Sequence, residues 1–214
     1  MTVVDAAVPV AQVFASALRG DPCLLLDADG PRGLLPTAAW LCDADPVDEA
    51  LLGLCHGPTV DIGCGPGRMA QALARRGRPV LGIDIVPEAV RLSIDRGVAA
   101  LLRDVFDPVP GEGRWETALL ADGNIGIGGD PVALLSRVRD LIATTGRVVV
   151  EVAPPGTGVR TRHVRLETEV GRSDPFPWTL VGADAIAAVA GAAQLRLASQ
   201  HRYDERFCAV LEVV

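Results

Sequence analysis

The seven residues from Asp61 to Gly67 announce chemistry most plainly. They read Asp61-Ile62-Gly63-Cys64-Gly65-Pro66-Gly67, an acid followed by three alternate glycines. A β-prone run, Val60 to Cys64, leads in, and a helical pattern, Gly67 to Arg76, leads out. Glycine at the tip of such a turn carries no Cβ, so a ligand can lie directly on the backbone. The first turn of the following helix offers N–H groups without intrahelical partners, which suit a carboxylate or another negative group. Two more acids follow. Asp84 closes Val80-Leu81-Gly82-Ile83-Asp84, 23 residues after Asp61, and Asp104 comes after Leu102-Arg103. A carboxylate accepts two hydroxyl donors well. Blander roles remain open for both, Asp84 as a cap for the helix at Pro87 and Asp104 as a surface turn residue.

A dinucleotide fingerprint, G-x-G-x-x-G, does not fit, because the sixth position counted from Gly63 is Arg68 and from Gly65 is Ala70. The string instead resembles motif I of the class I S-adenosylmethionine-dependent methyltransferases, and the resemblance runs from Thr59 to Val152. It implies S-adenosylmethionine as cofactor, cradled by Asp61, Gly63, Cys64, Gly65 and Gly67. Asp84 would take the ribose hydroxyls, and Ile85 would pack on the adenine face. Asp104 would meet the adenine amino group, and the Val105 backbone N–H a ring nitrogen. Ala121 and Asp122 would flank the methionine part, and Asn124 would face the acceptor of the methyl group. The implied reaction is in-line methyl transfer to a small molecule.

Those residues need a scaffold. Strand and helix alternate after Thr59: strands at Val60–Cys64, Pro79–Asp84, Val98–Arg103, Thr117–Ala121 and Arg147–Val152, with helices between, each stopped by glycine. The expectation is an α/β fold, a doubly wound, mostly parallel seven-stranded Rossmann-like sheet. Leu195–Tyr203 and Phe207–Val214 should close it as an antiparallel hairpin. A single domain is expected, with an N-terminal helical preamble over 1–57, a cofactor-binding core over 58–152 and a lid segment, helix and hairpin over 153–214. In the preamble, Pro9–Arg19 reads as a helix, Cys23–Asp27 as a strand, Asp29–Gly33 as a turn, and Asp45-Pro46 as a capped helix start. Gly158–Gly171 reads as an extra strand or lid, and Ser173–Trp178 as a loop.

No side chain stands out as a general base. His163, in the lid segment, leads His56, which should cap the helix before it, and His201 in a terminal strand. Trp40 and Trp178 lead the aromatic residues that could wall an acceptor pocket. A metal is not expected, because no acid-rich cluster accompanies Asp122. Two other functions stay open: a cofactor-binding protein without turnover, and a nicotinamide oxidoreductase, the latter disfavoured by the glycine spacing. Protein methylation stays open too.

The 214 residues are 49% hydrophobic and 22% charged, with a formal net charge of -7. That balance suits one globular domain, and the negative field disfavours nucleic acid. Arg160, Arg162, Arg165 and Arg172 read as a solvated strand face. No apolar run has the length of a membrane span, and the N-terminus lacks the pattern of a signal peptide. The five scattered cysteines suggest buried thiols in a reducing cytoplasm rather than disulfides or zinc. The oligomeric state is open between a monomer and a homodimer.

Overall fold

Short apolar runs ended by glycine set the rhythm of the chain, and the computed structural model, which describes residues 7–214, follows that rhythm. The N-terminal part holds α1 (Val10–Leu18), the hairpin β1 (Leu24–Asp27) and β2 (Gly30–Leu34), the single turn α2 (Thr37–Trp40), and α3 (Pro46–Leu52). A capping box starts α3. The Asp48 amide donates to the Asp45 carboxylate at 2.7 Å, and the Asp45 amide donates to the Asp48 carboxylate at 3.2 Å. Pro46 fills the first helical position, where no N–H is needed.

The core follows as β3 (Thr59–Ile62), α4 (Arg68–Arg75), β4 (Val80–Asp84), α5 (Pro87–Asp95), β5 (Ala100–Leu102) and β6 (Trp115–Leu120). Short helical turns over Asn124–Gly129 then lead to α6 (Pro131–Leu141) and β7 (Ile142–Val152). The last part runs β8 (Val159–Thr168), β9 (Gly171–Arg172), β10 (Phe176–Val181), α7 (Ile186–Ala192), β11 (Leu195–Tyr203) and β12 (Arg206–Val213). Seven strands form one sheet in the order β11-β12-β7-β6-β3-β4-β5, and β12 is antiparallel to both neighbours. Because β4 and β6 lie on opposite sides of β3, the chain reverses its winding there. The carboxyl ends of β3 and β6 therefore open a crevice.

Apolar residues cover both faces of this sheet, as a parallel sheet requires. Val60, Ile62, Val148 and Val150 pack with Leu134, Leu135 and Val138 of α6. Leu119 and Val149 pack on the other face with Met69 and Leu73 of α4 and Leu51 and Leu52 of α3.

A second, antiparallel sheet has the order β10-β8-β1-β2, with β9 on β8. It joins the two ends of the chain, because β1 pairs with β8 along Leu24–Leu26. Ser173–Trp178 is not all loop, because Phe176–Val181 pairs with Val159–Val164. Pro177 is tolerated because β10 is an edge strand. Likewise Gly30–Leu34 is a strand rather than a turn, with Pro31 on the outer edge. Of the arginines read as a solvated face, Arg160, Arg165 and Arg172 are exposed, while Arg162 leans 3.5 Å from Asp27. Four cysteines are buried thiols, but Cys42 is exposed. No helix among the described residues is long and apolar enough to cross a membrane.

Candidate active site

The glycine turn joins β3 to α4, and its three glycines have different reasons to be glycine. All have positive φ, at 69°, 55° and 85° for Gly63, Gly65 and Gly67. A Cβ on Gly63 would meet the Asn124 side chain at 2.7 Å, and one on Gly67 would meet the Ser93 hydroxyl at 2.5 Å. Those two are closed by packing. Gly65 faces open space, with nothing within 4 Å of the Cβ it lacks. Bare backbone is thus available to a ligand at one point. The Cys64 side chain turns inward against Gly82 and Ser93, so only its backbone reaches the turn. Burial pushes its thiol pKa well up.

Asp84 ends β4 beside this point. The Gly65 amide donates to its Oδ2 at 2.9 Å, and the Val86 amide donates to its Oδ1 at 2.8 Å. It therefore braces the residue before α5 and holds the tip of the turn, while the helix itself has no side-chain cap. Burial raises its pKa, against the pull of those amides. Ile85 follows at 53% exposure, and Leu102 at the end of the neighbouring β5 and Phe106 beyond it are similarly exposed. Uncovered apolar side chains on one rim are suited to a flat heterocycle. Asp104 is exposed on that rim, its Oδ1 accepting from the Phe106 amide at 3.0 Å. Val105 is buried, and its carbonyl accepts from Arg137 Nε at 2.9 Å.

Beyond β6 the buried Ala121 leads to Asp122, which adopts a left-handed φ of 53°. Asp tolerates that region better than most residues. Its amide donates to Glu151 Oε2 at 2.7 Å, and its carboxylate faces the start of α4. There Arg68 donates to it from Nη1 at 2.6 Å and Nη2 at 2.8 Å. The same guanidinium donates to Asp48 from Nε at 2.9 Å and Nη2 at 3.1 Å. Arg206, at the start of β12, donates to Glu151 from Nε and Nη2, both at 2.8 Å, and to Asp48 from Nη1 at 2.5 Å. Three carboxylates thus surround two guanidiniums. Burial alone would raise Asp48, but Arg68 and Arg206 outweigh it and hold its carboxyl below the usual range. Asp61 lies below this lattice with Oδ2 buried and unpartnered. Burial, then repulsion from Asp122, pushes its pKa up to about 7.

A cavity of about 400 Å³ opens over Arg68, Asp122 and Arg206, walled on its apolar side by Trp40, Pro36 and Ala39. Asn124 lies at the turn instead. Its Nδ2 donates to the carbonyls of Ile62 and Gly63, both at 2.9 Å, which ties the loop after β6 to the glycine turn.

Other candidates stand apart. His163 is exposed on β8, opposite Pro177. Trp178 is half-buried against Gly126 and edge-on to Phe176, and it does not line the cavity. His201 stacks on Tyr203, and its Nε2 lies 2.8 Å from Ser199 Oγ. His56 caps no helix: α3 ends at Leu52, and the His56 backbone bonds the Thr117 hydroxyl. Sequence reasoning missed Arg68, Arg206, Asp48 and Glu151. Arg68 was visible beside the third glycine, but its partners lie 20 and 54 residues away.

A parallel sheet in the order β5-β4-β3-β6-β7, extended by the antiparallel hairpin of β12 and β11, with a bare glycine turn at the switch point, defines the class I S-adenosylmethionine-dependent methyltransferase fold. Residues 60–112, which include the glycine turn, match the family described as "Methyltransferase domain". An S-adenosylmethionine-dependent methyltransferase from Bacteroides fragilis, solved with S-adenosyl-L-homocysteine, superposes with a TM-score of 0.81 at 19% identity, covering 100% of both chains. The 1,6-didemethyltoxoflavin-N1-methyltransferase of Burkholderia thailandensis superposes with a TM-score of 0.62 at 18% identity, covering 100% of this chain and 94% of that one. In sequence, the chain is 31% identical over 103 residues to the 2-heptyl-1-hydroxyquinolin-4(1H)-one methyltransferase of Mycobacteroides abscessus, covering 44% of this chain and 41% of that protein. It is 36% identical over 47 residues to the ubiquinone biosynthesis O-methyltransferase of Nitrosomonas europaea, covering 22% of this chain and 20% of that protein. These sequence matches thus span less than half the length of either relative.

Proposed function

We propose that the chain transfers the methyl group of S-adenosylmethionine to a small-molecule acceptor by in-line displacement. One observation carries the proposal: the bare Gly65 backbone faces open space while the Asp84 carboxylate is fixed on its amide and exposed Ile85 lies alongside. The cofactor, when bound, supplies an electrophilic methyl group on a sulfonium.

Each Asp84 oxygen keeps a lone pair beyond the one its amide donor uses, enough for two ribose hydroxyls. Ile85 and Phe106 offer apolar surface to the adenine, and Asp104 and the Val105 amide its polar edge. Gly63, Gly65 and Gly67, with Ala121 and Asp122, would hold the methionine end. Asn124 acts by fixing the turn rather than by touching the acceptor, and Trp40 walls the acceptor. His163 and Trp178 receive no role in the reaction. Alignment and exclusion of water are then the chain's main contributions. The antiparallel β12 departs from the dinucleotide-binding sheet and supports this reading over a nicotinamide enzyme.

Calorimetric titration with S-adenosylhomocysteine tests the proposal. Saturable binding is expected, weakened about 30-fold or more in Asp84→Ala by loss of two charge-assisted hydrogen bonds. No binding at millimolar ligand overturns it.

A further inference from the structure

The cavity beside the glycine turn has a chemical preference. Its apolar wall is the Trp40 indole with Pro36 and Ala39, all from the segment around α2. Its polar floor is the lattice at the start of α4, where the only positive groups are Arg68 and Arg206. Both are already used. Arg68 donates from all three nitrogens to Asp48 and Asp122, and Arg206 donates from all three to Glu151 and Asp48. Four of the five N–H groups of Arg68 and three of the five of Arg206 are engaged in this way, so an entering anion finds few donors left and meets a lattice with one carboxylate in excess. Asp43 and Asp45 add carboxylates to the rim, although Arg75 and Arg96 pair with Asp43 at 3.0 and 3.4 Å. Behind the floor sits the unpartnered, fully buried Oδ2 of Asp61, on which the charges of Asp122 and Arg68 act. A cation relieves this surplus, and an indole face attracts a cation within about 6 Å of its centroid.

We infer that this cavity is the acceptor pocket and that it takes an organic ammonium, a primary or secondary amine that is protonated in water, in preference to a carboxylic acid or an alcohol. The substrate class rests on the methyl-transfer reading, but the binding preference does not. In the reaction, the bound ammonium loses one proton to solvent. Its nitrogen forms the new N–C bond as the sulfonium S–C bond breaks, and the electron pair stays on sulfur as a neutral thioether. The carboxylate surplus steadies the cationic acceptor beside the cationic donor, two like charges that would otherwise repel each other.

Three probes of one shape separate the possibilities: 2-phenylethylamine, 2-phenylethanol and 3-phenylpropanoate. Each is titrated into the full chain holding saturating S-adenosylhomocysteine, with tryptophan fluorescence and calorimetry as readouts. The amine is expected to bind at least about tenfold tighter than the alcohol, and the carboxylate weakest. Trp40→Leu is expected to remove the fluorescence change and most of the amine's advantage, while leaving S-adenosylhomocysteine affinity within about twofold. Equal binding of the three probes, tighter binding of the carboxylate, or no binding of the amine at millimolar concentration overturns the inference. Because S-adenosylhomocysteine binding is measured first, its failure sinks the methyl-transfer reading separately from any result with the probes.

Discussion

The two flanks of the glycine turn hold their charges in opposite ways. On one flank Asp84 is fixed by the backbone amides of Gly65 and Val86, both within 19 residues of it in sequence. On the other, Arg68 and Arg206 are fixed by side chains alone, from α3, the loop after β6, and β7. The first arrangement is local, open to solvent on one side and ready for a ligand. The second is long-range, half-buried and held by paired side chains. A cofactor cradle is thus built from backbone, and the structure behind it is locked by ion pairs between side chains.

The locked flank should be the fragile one. Arg68→Ala leaves the buried Asp48 with Arg206 as its one cation and strips the exposed Asp122 of its bidentate partner, and is expected to lower unfolding stability by about 3–5 kcal/mol in urea titrations. A loss below about 1 kcal/mol would mean the lattice is slack and the contrast between flanks false.

Asp61 gives an effect of opposite sign. Its carboxyl ionises near pH 7 in the folded protein, against roughly 3.9 in an unfolded chain. Between those values the unfolded state has lost a proton that the folded state keeps. The contribution of Asp61 to stability therefore falls as pH rises from about 4 to 7, and is level above. Asp61→Asn is expected to be more stable than the wild type by on the order of 4 kcal/mol at pH 8, with the difference vanishing below about pH 4. Equal stabilities across that range would show that Asp61 is partnered.

Asn124→Ala removes two hydrogen bonds that join the flanks. It is expected to cost about 1–2 kcal/mol of stability and to weaken S-adenosylhomocysteine binding several-fold, both read by calorimetry. Away from either flank, Arg165→Ala on the exposed face of the second sheet should change stability by less than about 0.5 kcal/mol.

The same contrast explains what could be read from the chain. The central strands and helices were legible because each is a short periodic run ended by glycine or opened by a cap, as at Asp45 and Asp130, whose Oδ1 accepts from Val132 and Ala133 at 3.0 Å. The turn was legible because its glycines are consecutive alternates. Which glycine is open was not, since that depends on Asn124 and Ser93 folding against the other two. The ionic lattice was illegible because Asp48 and Arg206 meet across 158 residues. Asp48 also closes the capping box that starts α3, a role Asp45-Pro46 alone did not reveal. The second sheet was hidden for a similar reason: β1 and β8 find each other across more than a hundred residues, and Pro177 disguised an edge strand as a loop.

Backbone amide shifts on titrating the full chain with S-adenosylhomocysteine test the cradle most directly. The largest changes are expected at Gly65, its flanking residues and Ile85, with only small ones on β8 and β10. Shifts concentrated on the second sheet, with Gly65 and Ile85 unmoved, would contradict the assignment of the bare turn as the ligand's seat.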